Sequence, residues 1–404
     1  MSRRVVVVGA GILGTMHALF ALERGCEVVH LDREMGARGA SVRNFGLVWV
    51  SGRASGTELA FALRARRLWE ELARRVPGLP FRPVGSLTVA LDSFELEVMS
   101  AACALADAAQ RQWHLLGPKE AVAVCPELDS DIEGALYCRA DAIVEPRVTA
   151  PLLREYLAQD PAYQWFPGRQ VVSLDQGAVL DDRGTWHRGD HVYLCTGAAL
   201  SGLVASYVLP LPLRRVRLQM LETAPYAGRV TTALADGASM RYYPAYDLPA
   251  RGLLAAQPPV AAANGAQLLL VQRADGSLTI GDTHDYDEPL PFDVEEDIYD
   301  YLLGRAGALL RGPVPPVRRR WAGVYCELMP PAREVYWRHE LAANVEVVTG
   351  PGGRGMTCSP AIAEESMARL GPAGDARYDN MPLGVEAAPQ GGGLAGASPV
   401  PRPL

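Results

Sequence analysis

Residues 5–8 are four consecutive valines, the pattern of a strand buried on both faces. Residues 12–24 then place apolar side chains at helical spacing and stop at Gly25, a natural helix end. Residues 27–31 return to strand, and strand–helix–strand in this order predicts a parallel sheet. Further helical patterns cover 56–75 and 93–116, with a short strand at 86–91 between them. The stretch 170–195 is strand-rich and runs into Cys195-Thr196-Gly197. From about 211 to 317, strand-turn signals and proline predict a separate antiparallel sheet. Residues 320–326 and 345–349 read as returns to the first lobe, before a glycine loop at 350–355 and a helix from about 360 to 370. From residue 371 onward the chain is Gly-, Pro- and Ala-rich with little periodicity, which predicts a disordered tail. The resulting expectation is an α/β chain, α+β overall: a Rossmann-type lobe from 1–80, 141–210 and 318–370, and a second lobe with a mixed or antiparallel sheet from 81–140 and 211–317.

Composition narrows the function. At 404 residues, 49% hydrophobic and 21% charged, the chain is ordinary globular material. A net charge of −7 argues against nucleic acid as its main partner. Lys119 is the sole lysine, so Schiff-base chemistry is not expected and any anionic group must be held by arginine or backbone amides. The seven cysteines form no C-x-x-C pair, which fits neither a disulfide framework nor a metal site. The apolar opening is interrupted by Gly9, Gly11, Gly14 and His17, so it reads as strand, turn and helix rather than as a leader or membrane anchor. A soluble, cytoplasmic protein is expected.

The chemistry starts at that turn. Gly9-Ala10-Gly11-Ile12-Leu13-Gly14 follows a strand and opens a helix. The first glycine permits the tight turn, the second lets backbone approach a pyrophosphate, and the third lets helix and strand pack closely. The helix N-terminus presents free N–H groups and its positive dipole end to the phosphates. Asp32 closes the next strand 18 residues after the last glycine, where a carboxylate can accept from ribose hydroxyls. After Arg33 comes a long small-residue loop carrying Ser41, Asn44, Phe45 and Gly46. A loop this lean can wrap a pyrophosphate and ribityl chain, which favours FAD over NAD.

Several motifs together carry a family resemblance. They are the opening fingerprint with Asp32, the loop at 39–46, the approach to a helix at 141–147, Thr196-Gly197-Ala198 after a strand, and Gly353-Arg354-Gly355-Met356-Thr357. To about residue 370 the chain resembles the D-amino-acid oxidase / glycine and sarcosine oxidase superfamily. Within it, Ser41-Val42-Arg43-Asn44-Phe45-Gly46, Gly281-Asp282-Thr283-His284-Asp285-Tyr286 and Arg320-Trp321-Ala322-Gly323-Val324-Tyr325 resemble the FAD-dependent oxidoreductases associated with phosphonate catabolism. The resemblance implies a discontinuous FAD lobe, with Val171, Thr196, Gly197, Gly353, Gly355, Met356 and Thr357 joining the N-terminal cofactor residues. It also implies C–N oxidation of a small anionic amine, with O2 or another electron acceptor. In the phosphonate subfamily the substrate would be 2-aminoethylphosphonate or its N-methyl derivative, giving phosphonoacetaldehyde. Two departures stand out. Thr279 occupies the position where sarcosine oxidases place an oxygen-activating lysine, and Cys326 is displaced from their flavin-tethering cysteine, so FAD is expected to be non-covalent.

Flavin amine oxidation needs an uncharged nitrogen, an aligned carbon and an anchor for the acidic end. His284 is a candidate for handling the amine proton, against a structural role in a turn. Arg241 is the candidate anion anchor, with Tyr242, Tyr243 and Tyr246 as walls. Arg354 is placed by the late glycine loop beside the flavin. Arg43, Trp321 and Tyr325 are weaker candidates, residues 318–320 read as a solvated strand edge, and His17 as packed. The rival readings are the same chemistry on glycine or sarcosine, a catalytically silent flavin-binding scaffold, and an NAD enzyme.

Overall fold

The computed structural model describes residues 2–371, so all but the first residue of the expected tail lies outside it. The first sheet has the strand order Trp337–Ala342, Val345–Thr349, His191–Leu194, Arg4–Val8, Glu27–Asp32, Tyr163–Pro167; every pairing is parallel except the Trp337–Ala342 edge. The opening valines explain its two covered faces. Val5 and Val7 point into a helical core with the first helix, Ile12–Glu23, while Val6 points into a core shared with Val171, Leu174 and Val179 of a small antiparallel sheet. An alternating strand would have left one face wet. The first helix is apolar nearly all round because it is buried against helices Pro146–Leu157 and Gly355–Arg369.

The second sheet has eight strands: Val317–Leu328, Leu213–Pro225, Ser277–Gly281, Leu269–Gln272, Ala233–Asp236, Ser86–Ala90, Gly134–Cys138, Trp113–Leu116. Ala233–Asp236 and Ser86–Ala90 pair in parallel and the other neighbours are antiparallel, so the sheet is mixed. One face is covered by helix Glu296–Leu309, whose Ile298, Tyr299, Leu302 and Leu309 are buried. The other face looks toward Phe45 and Trp49. Among the described residues no helix is long and apolar enough to cross a membrane.

Three expectations are corrected. Residues 320–326 do not return to the first sheet: Val317–Leu328 pairs along its length with Leu213–Pro225 in the second, a non-local choice that local pattern does not encode. The helix expected over 93–116 ends at Cys103, and after a short turn of helix Gln112 takes a left-handed conformation that frees Trp113–Leu116 to extend the sheet edge. The last helix starts at Gly355, so Pro360 lies inside it. Proline lacks the N–H that would reach the carbonyl of Met356. Trp69 Nε1 donates to that carbonyl instead, at 3.0 Å.

A buried carboxylate ties the second sheet to the chain that leaves the first. Asp141 accepts from Val50 N–H (2.5 Å), Ser51 N–H (3.1 Å), Ser51 Oγ (2.6 Å) and Ser86 Oγ (2.6 Å). Asp141→Ala strands these donors, and we expect a loss of about 2–4 kcal/mol in urea unfolding. An unchanged midpoint would contradict this role.

Candidate active site

The two sheets enclose a cleft of 1510 Å³ that begins at the Gly9 turn and ends between the second sheet and the late glycine loop. At the turn, Gly9 has φ +107°, and a Cβ there would lie 2.3 Å from the Cys195 carbonyl oxygen. A Cβ on Gly14 would lie 1.8 Å from the Gly9 carbonyl oxygen. Asp32 stands across the turn and accepts from Ala10 N–H (2.5 Å) and Glu34 N–H (2.7 Å), while burial raises its pKa against these donors. His30 braces the turn from behind. Its Nε2 meets the Gly9 carbonyl at 2.9 Å, an acceptor, so Nε2 carries the proton and Tyr163 donates to Nδ1. Ser41 Oγ accepts from Ile12 N–H at 2.9 Å and so occupies one donor of the helix N-terminus.

Most of the expected cofactor residues line this cleft: Gly9, Gly11, Asp32, Arg33, Ser41, Asn44, Phe45, Val171, Thr196, Gly197, Gly353, Gly355 and Met356. Gly14, Gly46 and Thr357 act behind its surface. Gly46 turns with φ +71° against Val144, and Thr357 Oγ1 joins Trp49 N–H to the Leu47 carbonyl. The Asn44 side chain is spent within its own loop, donating to the Ala40 carbonyl and accepting from Gly46 N–H. Thr196 Oγ1 and Trp49 Nε1 are buried without a partner among the described residues. Orphaned polar atoms and a glycine turn that no side chain could fill are what a polar cofactor requires.

The far end is aromatic and charged. Tyr242 stacks on His284 with ring centroids 3.9 Å apart, and its hydroxyl meets that of Tyr325 at 3.1 Å. Both hydroxyls lie beside Gly353. His284 does not titrate near neutrality as expected: burial pushes its pKa down to about 4, and Nδ1 is engaged by the Gly265 carbonyl at 3.0 Å. Arg354 and Arg53 flank one carboxylate, Glu58, at 3.6 and 3.7 Å. Arg214 is matched by Glu327 at 2.6 Å. Arg241 forms no ion pair among the described residues; it donates to the Ala255 carbonyl and its Nε is buried without a partner.

Other candidates fall elsewhere. Tyr246 is buried in the core, stacked on Trp113, and Trp321 borders a separate arginine-lined hollow with Arg319 and Arg320. His17 is packed, as expected, between the Leu13 carbonyl and Ser366. Thr279 Oγ1 accepts from Arg273 Nε at 2.7 Å, which brings a buried guanidinium to the position without a lysine; burial lowers the Arg273 pKa to about 10. Sequence reading missed Arg53, Glu58, Gln267 and the Arg214–Glu327 pair. It also gave no role to Asp282, although alternation along an extended segment sets Asp282 two residues from His284 on a common side.

Fold and cleft together define a protein whose two sheets enclose a dinucleotide-cofactor site. The family described as FAD dependent oxidoreductase (DAO) matches residues 4–369, and this chain belongs to it; its cofactor is FAD. The tRNA 5-methylaminomethyl-2-thiouridine biosynthesis bifunctional protein MnmC of Ectopseudomonas mendocina (strain ymp) is 27% identical over 232 residues, 54% of this chain and 33% of that protein. Glycine oxidase of Pseudomonas aeruginosa is 29% identical over 228 residues, 55% of this chain and 62% of that one. The chain thus spans less than two thirds of either curated relative. The crystal structure of glycine oxidase from Geobacillus kaustophilus superimposes with a TM-score of 0.72 at 18% identity, covering 91% of this chain and 95% of that one.

Gly9→Ala forces a left-handed backbone and a collision with the Cys195 carbonyl. The purified variant is expected to lack the flavin absorbance of the wild type. A variant that retains full flavin content would refute the assigned role of the turn.

Proposed function

We propose that this chain oxidises the C–N bond of a small anionic amine, and that the anion is a phosphonate: 2-aminoethylphosphonate or its N-methyl derivative, converted to an imine that water hydrolyses to phosphonoacetaldehyde. The observation that carries this reading is the surplus of arginine at the far end of the cleft. Arg53 and Arg354 share a single carboxylate, and Arg241 has none. A phosphonate carries up to two negative charges and accepts bidentate guanidinium contacts, so it matches such a surplus better than a singly charged carboxylate does. Glycine- or sarcosine-type substrates are the second reading, favoured by the glycine oxidase relatives.

In this reading Gly9, Gly11, Asp32 and Ser41 hold the ADP half, while Thr196, Gly197 and the 353–356 loop hold the flavin half. The bound flavin supplies a two-electron acceptor. Arg241, with Arg354, fixes the anionic end of the substrate. Tyr242, Tyr243 and Tyr325 wall the reacting carbon, and Met220 and Leu269 give the cleft a dry floor. His284 stays neutral and orients Tyr242 by stacking. Cys326 donates its S–H to the Gly197 carbonyl at 3.1 Å, and burial raises its thiol pKa, which leaves FAD untethered.

Anaerobic mixing of the yellow enzyme with 2-aminoethylphosphonate, its N-methyl form, glycine and sarcosine tests the assignment. Bleaching by the phosphonates is expected; bleaching by the carboxylates alone rejects the phosphonate, and bleaching by none rejects amine oxidation. Replacing Arg241 with Met should raise KM about 10–100-fold with flavin content intact. An unchanged KM removes Arg241 from the site. Acid precipitation should release the yellow colour into the supernatant, and colour retained in the pellet would show a covalent tether.

A further inference from the structure

Strand Ser277–Gly281 ends at the cleft, and the next residue, Asp282, lines it while only 6% exposed. Its backbone is fixed by exchange with Gln267: Asp282 N–H donates to the Gln267 carbonyl at 2.9 Å, and Gln267 N–H to the Asp282 carbonyl at 3.1 Å. Gln267 Nε2 also donates to Asp282 Oδ1 at 3.1 Å. The carboxyl is thereby held in one orientation by a neutral amide.

What the carboxyl lacks is a cation. The other carboxylates at this end of the cleft are matched, Glu58 by Arg53 and Arg354, and Glu327 by Arg214. Asp282 has no ion pair among the described residues, although arginines line the same cleft. The groups facing it are the phenols of Tyr242, Tyr243, Tyr286 and Tyr325, all made weaker acids by burial, and the neutral His284 two residues on. A desolvated carboxylate without a partner is costly unless a ligand cation joins it or it takes up a proton. An unmatched carboxylate and the unmatched Arg241 in one cleft describe a ligand with opposite charges at its two ends.

We infer that Asp282 receives the substrate's ammonium group and removes its proton before the carbon–hydrogen bond breaks. This rests on the amine-oxidation reading above. The R–CH2–NH3+ group gives one proton to the Asp282 carboxylate, leaving R–CH2–NH2 and a neutral carboxyl. The Cα–H bond then breaks with its electron pair leaving as hydride to the two-electron acceptor. The nitrogen lone pair becomes the C=N bond of R–CH=NH2+, which water hydrolyses. Burial pushes the Asp282 carboxyl up to about 7, so it can hold and release a proton near neutral pH.

The test is anaerobic flavin reduction by whichever amine bleaches the wild type, followed from pH 5.5 to 9.5 in wild type, Asp282→Asn and Gln267→Leu. In the wild type the rate constant at low substrate is expected to rise through a limb near pH 7. Asp282→Asn should lose that limb and react about 100-fold more slowly at pH 7. Gln267→Leu removes a hydrogen bond to the carboxylate and should move the limb to higher pH. An Asp282→Asn profile superimposable on the wild type overturns the inference, and so does an unmoved limb in Gln267→Leu if Asp282→Asn does not fold. Thermal unfolding gives a readout free of turnover. The folded carboxyl keeps its proton to higher pH than the unfolded chain does, so wild-type stability relative to Asp282→Asn should fall as pH rises from about 4 to about 7. Parallel curves would overturn the assignment. A wild type that no amine bleaches overturns both readings, whereas bleaching that ignores Asp282 overturns this one alone.

Discussion

Residues 49–53 cross the interior without belonging to a helix or a sheet, and a buried backbone of that kind persists only if other groups meet its N–H and C=O atoms. Asp141 accepts the N–H groups of Val50 and Ser51, and the fully buried Arg111 donates to their carbonyls at 3.3 and 3.1 Å. Asp107, 3.0 Å from Arg111, offsets the charge this brings inside. The walls of the cleft hang on this arrangement. The segment carries Trp49 and Arg53 into the cavity, and Gly52 lies under the Tyr243 ring with no room for a side chain. Asp141 also holds Ser86 at the start of a central strand of the second sheet, so one carboxyl joins the 49–53 segment to that sheet.

The same accounting of buried charge extends into the cleft. Charges taken out of water are tolerated when they are paired and hydrogen-bonded. Glu58 with its two arginines and Glu327 with Arg214 follow that rule. Asp282, 6% exposed, breaks it, and the half-buried Arg241 has no carboxylate to meet it among the described residues. Under the proposed reading, a ligand that completed both groups would add its binding energy to the stability of the fold.

The cofactor end of the cleft was legible because its chemistry is local. Gly9 and Gly14 must be glycine for reasons of backbone clash, and Asp32 follows at the end of the adjacent strand; both facts sit within one strand–helix–strand unit. The far, aromatic end was only half legible. Arg241, Tyr243, His284 and Arg354 were reachable through motifs, but Arg53, Glu58 and Gln267 carry no local mark that separates them from ordinary surface or core residues. His284 was read with an ordinary imidazole pKa, and its depression to about 4 depends on burial that no motif encodes.

By itself the sequence determined that residues 4–32 fold as a parallel unit with a glycine turn facing a dinucleotide, because steric exclusion and an unbroken apolar run act over a few residues. It also determined that anions must be met by arginine, through the near absence of lysine. Tertiary structure decided the rest: that Val317–Leu328 pairs with Leu213–Pro225, that a buried Arg273 stands beside Thr279, and which charges in the cleft are left unmatched. Those outcomes are set by desolvation and by contacts between residues distant in the chain, and neither quantity exists until the chain has closed on itself.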